Sequence, residues 1–294
     1  MSFAQEDPFV DEVWQNREVI EKTILPTVLI DNQRNTFGSG VIIASEPLEE
    51  EVGFRNLVLT AYHVVRNSLK EYMNRSHDLN SSAKIMIETR NHQGYRDNQF
   101  EASPLHSKSF LEVVRRERGA LARSAANFST IKLAWHQLGQ RNDLAILEFK
   151  SDRPMKYIAK IPRPLFLERI GLTTPIRLVG YPLGRGPHST FGEMGVVTVE
   201  GGYPYRLVST HGIPGNSGGS VFTQKGHYLV GIFSKLIQTG SFSKTQVPGG
   251  LIIEMRQIHD YLAAGGLERL IPGYQSPRLE EQPQLISQKE KKLP

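Results

Sequence analysis

The chain has 294 residues, of which 39% are hydrophobic and 22% charged, a composition typical of a globular protein with one large core or two joined cores. It contains no cysteine, which excludes disulfides, zinc–thiolate sites, iron–sulfur clusters and a cysteine nucleophile. The net charge of +5 is modest and the basic residues are mostly dispersed, so we expect no nucleic-acid partner.

The sequence carries no signal for a membrane. No apolar run approaches the ~18 residues that a membrane span needs. The N-terminal residues also lack the basic and apolar regions of a secretory signal peptide. Together with the absence of cysteine, these features predict a cytoplasmic protein with no membrane partner.

A helix is predicted over residues 8–24. Pro8 stands at its start, apolar residues follow at helical spacing, and Pro26 ends it. We therefore assign residues 1–26 to an N-terminal helix.

Short β-branched runs follow at close intervals, separated by glycine, proline and asparagine. They are Thr27–Ile30, Gly40–Ile43, Leu57–Thr60, Ala83–Glu88, Leu144–Phe149, Pro175–Val179, Gly195–Val199, Arg206–Ser209, Ser220–Phe222, Tyr228–Ser234 and Gly250–Ile253. Many short strands with turn residues between them predict an all-β sandwich or barrel. Regular helices do not separate them, which argues against a doubly wound parallel sheet.

Three later segments depart from the strand pattern. Residues 91–138 are polar and arginine-rich with a helical period, and we interpret them as a surface insertion, with an arm that binds a regulatory protein as the alternative. A helix is predicted over Glu254–Ala264, ended by Gly265 and Gly266. Residues 266–294 are predicted to be a disordered tail, because they are rich in proline and charge.

The segment GIPGNSGGSVF, residues 212–222, is suited to chemistry. Its glycines favour a turn on which Ser217 is exposed. The backbone N–H groups of Gly215 and Ser217 can then converge on one substrate carbonyl oxygen as an oxyanion hole. For this motif alone, a glycine-rich hairpin without chemistry is the alternative.

A serine nucleophile needs a base, and His63 is the best placed of the nine histidines. It lies at the end of the apolar strand in LVLTAYHVV, residues 57–65, where a histidine is held rigidly and can face a cleft. Asp143 opens the strand in RNDLAILEF and can orient the imidazole, with a turn aspartate of no catalytic role as the alternative. We predict a triad of His63, Asp143 and Ser217 because the three segments occur together.

Six segments resemble those of the trypsin/chymotrypsin-fold serine proteases, and most of all the disulfide-free bacterial HtrA-like branch. They are FGSGVII (37–43), LTAYHVV (59–65), NDLAILEF (142–149), VGYPLG (179–184), IPGNSGGSVF (213–222) and LVGIFSK (229–235). The resemblance implies an all-β fold of two six-stranded antiparallel barrels with the triad in the cleft between them. It places the first barrel at residues 27–153, with an insertion at about 91–138, and the second barrel with its C-terminal helix at residues 154–265. No PDZ domain is expected to follow.

The resemblance also implies a function. The protein would be a serine endopeptidase that cleaves protein or peptide substrates through an acyl-enzyme, without a cofactor or a metal ion. The resemblance places the substrate-binding positions at His211, Ser234, Lys235, Leu236, Gly249 and Gly250. None of these residues is acidic, so we expect an uncharged P1 residue of small to medium size.

Two other functions stay open. One is a catalytically silent binding or scaffold module that keeps the trypsin-like fold. The other is an α/β-hydrolase-type esterase, because GNSGG also fits the G-x-S-x-G motif. That fold needs a helix after the serine and then an acid and a histidine, whereas strands are predicted after Ser217 and the only later histidines are His227 and His259.

Overall fold

The computed structural model describes residues 17–32, 37–48, 51–74, 85–105, 138–237 and 249–274. Within these ranges, twelve strands form two closed antiparallel barrels of six strands each. The prediction of an all-β fold with two six-stranded barrels is confirmed.

The first barrel closes in the strand order β1-β2-β3-β6-β5-β4. Its strands are β1 (Thr27–Asp31), β2 (Phe37–Pro47), β3 (Phe54–Ala61), β4 (Ile85–Arg90), β5 (Arg96–Pro104) and β6 (Leu144–Ser151). Branched side chains such as Val28, Ile30 and Ile87 fill its interior and are fully buried. β-branched residues suit this role because they pack well on a pleated surface.

The second barrel closes in the order β10-β11-β12-β9-β8-β7. Its strands are β7 (Pro175–Gly180), β8 (His188–Glu200), β9 (Tyr203–Val208), β10 (Ser220–Thr223), β11 (Leu229–Leu236) and β12 (Gly250–Glu254). Ile176, Val221 and Ile252 are fully buried inside it. The turn between β9 and β10 carries Ser217, so the closure of this barrel positions the predicted nucleophile.

Helical segments lie outside the barrels. They are Arg17–Val19, the π-helical turn Ile20–Ile24, Tyr62–Asn74, residues 138–142, Pro164–Leu167, the 3-10 turns Pro182–Gly184 and Glu268–Leu270, and Met255–Ala264. The helix Met255–Ala264 begins with a capping box in which the side chains of Glu254 and Gln257 each bond the other residue's backbone N–H. In the part of the chain that the structure describes, no helix has the length and apolar character to span a bilayer.

The two barrels share a core and a polar contact. One apolar cluster contains Leu59 of the first barrel and Phe222 of the second. Thr27 Oγ1 donates to the Thr23 carbonyl, so the Ser220 hydroxyl, 2.5 Å from it, donates to Thr27 Oγ1. Tyr181 Oη donates to the Thr27 carbonyl at 3.1 Å, and burial raises the pKa of this phenol. These contacts join the two barrels through buried polar groups.

The predicted strands correspond to all the observed ones except β5. This strand lies in the segment that we interpreted as an insertion, and residues 96–104 are therefore barrel, which corrects the predicted boundary at 91. Its first four residues are all polar and exposed, and alternation is confined to the second part of the strand, where Phe100 and Ala102 are the inward positions; the pattern that marks a half-buried strand is therefore short. The rest of the predicted insertion, residues 106–137, lies outside the described residues, as does the proposed contact of this segment with a regulatory protein.

At both ends of the chain, the residues that the structure describes differ from the predicted structure. Residues 1–16 of the predicted N-terminal helix lie outside the described residues, and the remainder is the short Arg17–Ile24 segment. The prediction of a disordered tail is wrong for residues 266–274, because Leu267 and Ile271 are buried in the core shared by the barrels. Residues 275–294 lie outside the described range.

Candidate active site

Asp143 and His63 form a hydrogen-bonded pair. Asp143 lies at the turn between the helical residues 138–142 and β6, with a φ of +53°, a conformation in which aspartate is enriched. Both carboxylate oxygens lie 3.0 Å from His63 Nδ1. Because a carboxylate only accepts hydrogen bonds, Nδ1 carries the proton and the lone pair of Nε2 is left to act as an acceptor.

The backbone also ties these two residues together. His63 is the second residue of the helix Tyr62–Asn74, not the last residue of a strand as its apolar context predicted. Its N–H donates to Asp143 Oδ1 at 3.0 Å, and the N–H of Tyr62 donates to the Asp143 carbonyl at 2.8 Å. The His63 side chain is 41% exposed and the Asp143 side chain 15%, so the imidazole faces solvent on one side and a shielded carboxylate on the other.

Ser234 completes the environment of Asp143. The register between β11 and β12 shifts between Phe233 and Lys235, which makes Ser234 the extra residue of a β-bulge. Its buried hydroxyl donates to Asp143 Oδ2 at 2.6 Å. Sequence reasoning assigned Ser234 to substrate binding and missed this contact, because a bulge changes the direction of a side chain without leaving a pattern in the sequence.

Ser217 follows a tight turn formed by residues 213–216. The N–H of Asn216 donates to the Ile213 carbonyl at 2.9 Å, with Pro214 second and Gly215 third in the turn. Gly215 has a φ of +100°, and this combination of proline and left-handed glycine is typical of a type II turn. The carbonyl of Pro214 accepts the Leu183 N–H at 2.8 Å, and because N–H and C=O of a trans peptide point to opposite sides, the Gly215 N–H points away from Leu183.

Two glycines of this motif are required by close backbone approach. A Cβ on Gly215 would lie 2.5 Å from the Tyr181 carbonyl oxygen and 2.6 Å from the Leu183 nitrogen. A Cβ on Gly218, whose φ is +81°, would lie 2.0 Å from the Ser39 carbonyl oxygen. The turn that carries Ser217 therefore packs between the segment VGYPLG of the second barrel and β2 of the first barrel.

Ser217 lines the same cavity as His63. This cavity has a volume of about 670 Å³. It is lined by His63, Thr198, Val199, Glu200, Leu207, Ile213, Pro214, Ser217, Phe233, Ser234, Lys235, Leu236, Ile237 and Leu251. In the described part of the chain, the Ser217 hydroxyl donates to the Ser234 carbonyl at 3.1 Å and makes no hydrogen bond to the His63 ring.

The predicted substrate-binding residues divide into two groups. Ser234, Lys235 and Leu236 line the cavity, whereas His211, Gly249 and Gly250 are not among its lining residues. The Lys235 amine donates to Glu200 at 2.8 Å and lies over the Tyr205 ring. Partial burial disfavours the charge of Lys235, but the Glu200 carboxylate, together with Tyr205 and Asp143, outweighs burial and raises the pKa of this amine. The only carboxylate on the cavity wall that the structure describes, that of Glu200, is therefore neutralised.

The described residues contain no group of three histidine or carboxylate side chains placed to hold a metal ion. What the two barrels bring together is an imidazole held by a carboxylate, a serine on a glycine-rich turn and a cleft that both of them face. This is the arrangement of a serine hydrolase with the trypsin-like fold.

Comparison with known proteins gives the family. The chain belongs to the family of trypsin-like peptidase domains, whose model matches residues 38–232. The prediction of a trypsin-like peptidase domain is therefore confirmed. No curated protein sequence matches the chain at a significant level.

Solved structures agree with the fold. A serine-to-alanine variant of the HtrA-type protease AlgW with a tripeptide is 16% identical, with a TM-score of 0.54, over 87% of this chain and 64% of that one. This chain thus spans less than two thirds of the AlgW chain. Rv3671c from M. tuberculosis H37Rv, in the inactive form of a serine-to-alanine mutant, is 15% identical, with a TM-score of 0.52, over 87% of this chain and 94% of its own.

Proposed function

We propose that this protein is a serine endopeptidase in which Ser217 is the nucleophile, His63 the general base and Asp143 the residue that orients the imidazole. The observation that carries the proposal is the His63–Asp143 pair beside Ser217 in one cavity. The shielded carboxylate fixes Nδ1 as the protonated nitrogen, and a general base needs its other nitrogen unprotonated.

The Ser217 hydroxyl has to change its hydrogen bond before it reacts. It donates to the Ser234 carbonyl in the free protein and must donate to His63 Nε2 to lose its proton. The oxygen then bonds to the substrate carbonyl carbon, and His63 passes the proton to the leaving amine as the peptide bond breaks. Water, deprotonated by His63, attacks the resulting ester, and the proton returns to Ser217 as the acid product leaves.

The N–H groups of Gly215 and Ser217 are proposed as the oxyanion hole. Among the described residues, neither group donates to a backbone carbonyl. The bond from Leu183 to the Pro214 carbonyl holds the Gly215 peptide in one orientation. Donors that are fixed before reaction stabilise the charge of the tetrahedral intermediate by a few kcal/mol.

We propose proteins or peptides with an uncharged P1 residue of small to medium size as substrates. The cavity wall offers no unpaired carboxylate among its described residues, because Glu200 is bonded to Lys235. Phe233 forms part of the cavity wall, and its ring is packed so closely on Gly212 and Gly250 that a Cβ on either glycine would lie 2.2 Å from it. We also propose a cytoplasmic location, which is inferred only from the amino-acid sequence.

A peptide library of random sequence tests the proposal. The wild-type protein should cleave internal peptide bonds, with alanine, valine, serine or threonine enriched at P1, and Ser217→Ala should produce none of these cleavages. Cleavage by Ser217→Ala at the wild-type rate would contradict the assignment of the nucleophile. An absence of cleavage by folded wild-type protein in the library and in unfolded protein substrates would favour the scaffold function.

A further inference from the structure

Ser39 lies in the first barrel, yet it contacts the loop of the second barrel that carries Ser217. It is the third residue of β2, is fully buried, and stands between Gly38 and Gly40. The separation in sequence from Gly215 is 176 residues. Sequence reasoning treated its segment, FGSGVII, only as a strand.

Every polar group of Ser39 is engaged. Its N–H donates to the Ser217 carbonyl at 2.8 Å, and its carbonyl accepts the Thr60 hydroxyl at 2.7 Å. Its own hydroxyl accepts the Tyr181 N–H at 2.8 Å, and its single proton is donated to the Gly215 carbonyl at 2.8 Å. The Tyr181 N–H can only donate and therefore occupies a lone pair of the hydroxyl oxygen, whereas the Gly215 carbonyl can only accept and therefore takes the hydroxyl proton.

Ser39 therefore holds the carbonyl groups of the same two residues whose N–H groups are proposed to form the oxyanion hole. Gly215 has a φ of +100° and no side chain to limit its rotation. The peptide before it is held by the Leu183 N–H. The peptide after it is held by two hydrogen bonds, one from the Asn216 N–H to the Ile213 carbonyl within the turn and one from the Ser39 hydroxyl to the Gly215 carbonyl. The Ser39 bond comes from the first barrel and adds to the bond within the turn. It further limits rotation about Gly215, which would turn a donor away from the substrate.

We propose that Ser39 is a positioning residue, whose hydroxyl sets the orientation of the oxyanion hole across the interface between the barrels. It does not touch the reacting atoms and acts through Gly215. This inference rests on the proposed function, since it assigns a role in the same site. It predicts that loss of the hydroxyl weakens binding of the transition state and leaves substrate binding nearly intact.

The test compares Ser39→Ala with Ser220→Ala and Ser217→Ala. Ser220 is a matched control because its hydroxyl is equally buried and also bridges the barrels, but it bonds Thr27 instead of the Ser217 loop. Removal of a direct oxyanion donor costs about 10²–10³ in kcat, so removal of its support should cost about 10–100-fold. We expect Ser39→Ala to show this fall in kcat with KM within about threefold of wild type. Ser220→Ala should keep kcat within about twofold of wild type.

A second measurement separates positioning from general loss of structure. A peptide aldehyde forms a tetrahedral adduct, whereas the peptide amide of the same sequence binds only as a ground state. The aldehyde affinity of Ser39→Ala should fall by the same factor as its kcat, and the amide affinity should not change. An equal fall in both affinities, or a kcat within threefold of wild type, would overturn the role of Ser39 while Ser217→Ala stays inactive. Activity in Ser217→Ala would instead overturn the proposed function, and the role of Ser39 with it.

If Ser39→Ala fails to fold, the variant Ser39→Cys can be used to test the role of the Ser39 hydroxyl. The thiol fills the space of the hydroxyl but is a weak hydrogen-bond donor. It should therefore fold and show the same selective loss of kcat and of aldehyde affinity. Wild-type kcat in folded Ser39→Cys would overturn the proposal.

Discussion

The carboxylate of Asp143 accepts hydrogen bonds from both the ring and the backbone of His63, each at 3.0 Å. One residue therefore sets both the position at which the His63 helix begins and the direction in which the imidazole points. The two residues are 80 positions apart in sequence and meet because β3 pairs with β6, with Ala61 opposite Leu144. The strand pairing that builds the fold therefore also brings the imidazole of His63 to the carboxylate of Asp143.

Asp143→Asn should abolish most of the activity. The amide that replaces the carboxylate can donate to Nδ1, which moves the imidazole proton to Nε2 and removes the base. The expected fall in kcat is about 10⁴-fold, as for the same substitution in other triads, measured on a peptide ester or amide substrate. Asp152→Asn, at an exposed aspartate of the same chain, is the control and should leave kcat unchanged. Activity of Asp143→Asn within tenfold of wild type would mean that the pair is only structural.

Gly215→Ala should disable the oxyanion loop. The added Cβ would meet the backbone at Tyr181 and Leu183 below 3 Å, and the φ of +100° is unfavourable for alanine. We expect kcat to fall by at least about 100-fold, measured with KM on the same peptide substrate. Gly171→Ala, where a Cβ meets nothing within 4 Å, should match wild type. Wild-type kcat in Gly215→Ala would show that the turn is not part of the chemistry.

The sequence predicted the three candidate catalytic residues but not how they are held. Ser217, His63 and Asp143 stand in contiguous motifs, which need no knowledge of tertiary structure to recognise. The contacts of Ser39 and Ser234 join strands far apart in the chain, and the bulge that turns Ser234 toward Asp143 depends on the register of β11 against β12. Strand β5 was missed for a related reason, since its polar, exposed residues are held by pairing with β4 and β6 and not by their own pattern.

Phe233→Ala should change the substrate preference. Its buried ring lies against Gly212 and Gly250, and its removal would open space beside Ser217 for a larger side chain. We expect the P1 preference to shift from small residues toward leucine and phenylalanine, read from cleavage of a peptide library by mass spectrometry. Phe222→Ala removes an equally buried ring that does not line the cavity, so it should lower stability but keep the P1 profile. An identical shift in both variants would mean that the profile reflects loosening of the barrel.

Stability should fall as the pH is lowered from about 6.5 to about 4. Burial of His259 on the C-terminal helix lowers the pKa of its imidazole to about 4, although a hydrogen bond to the Pro162 carbonyl opposes the shift. The unfolded chain binds this proton at pH values near 6.5 and the folded chain only near 4, so acid favours unfolding by up to about 3 kcal/mol. Burial also lowers the pKa of His227, which acts in the same direction.

Urea unfolding at several pH values measures this effect. His259→Gln cannot take up the proton, so its free energy of unfolding should depend less on pH between 6.5 and 4 than that of wild type. His188→Gln, at an exposed histidine, should keep the wild-type slope. If all three proteins had the same slope, burial of His259 would not be the source of the acid sensitivity.

Covalent labelling by a fluorophosphonate probe tests most directly whether Ser217 is an activated nucleophile. The probe phosphonylates a serine only when a base activates it and an oxyanion site accepts the oxygen. We predict a single adduct, located by mass spectrometry on the peptide that contains Ser217, absent in Ser217→Ala and formed at least about 100-fold more slowly in His63→Ala. Folded wild-type protein that stays unlabelled, or an adduct that persists in Ser217→Ala, would contradict the proposed triad.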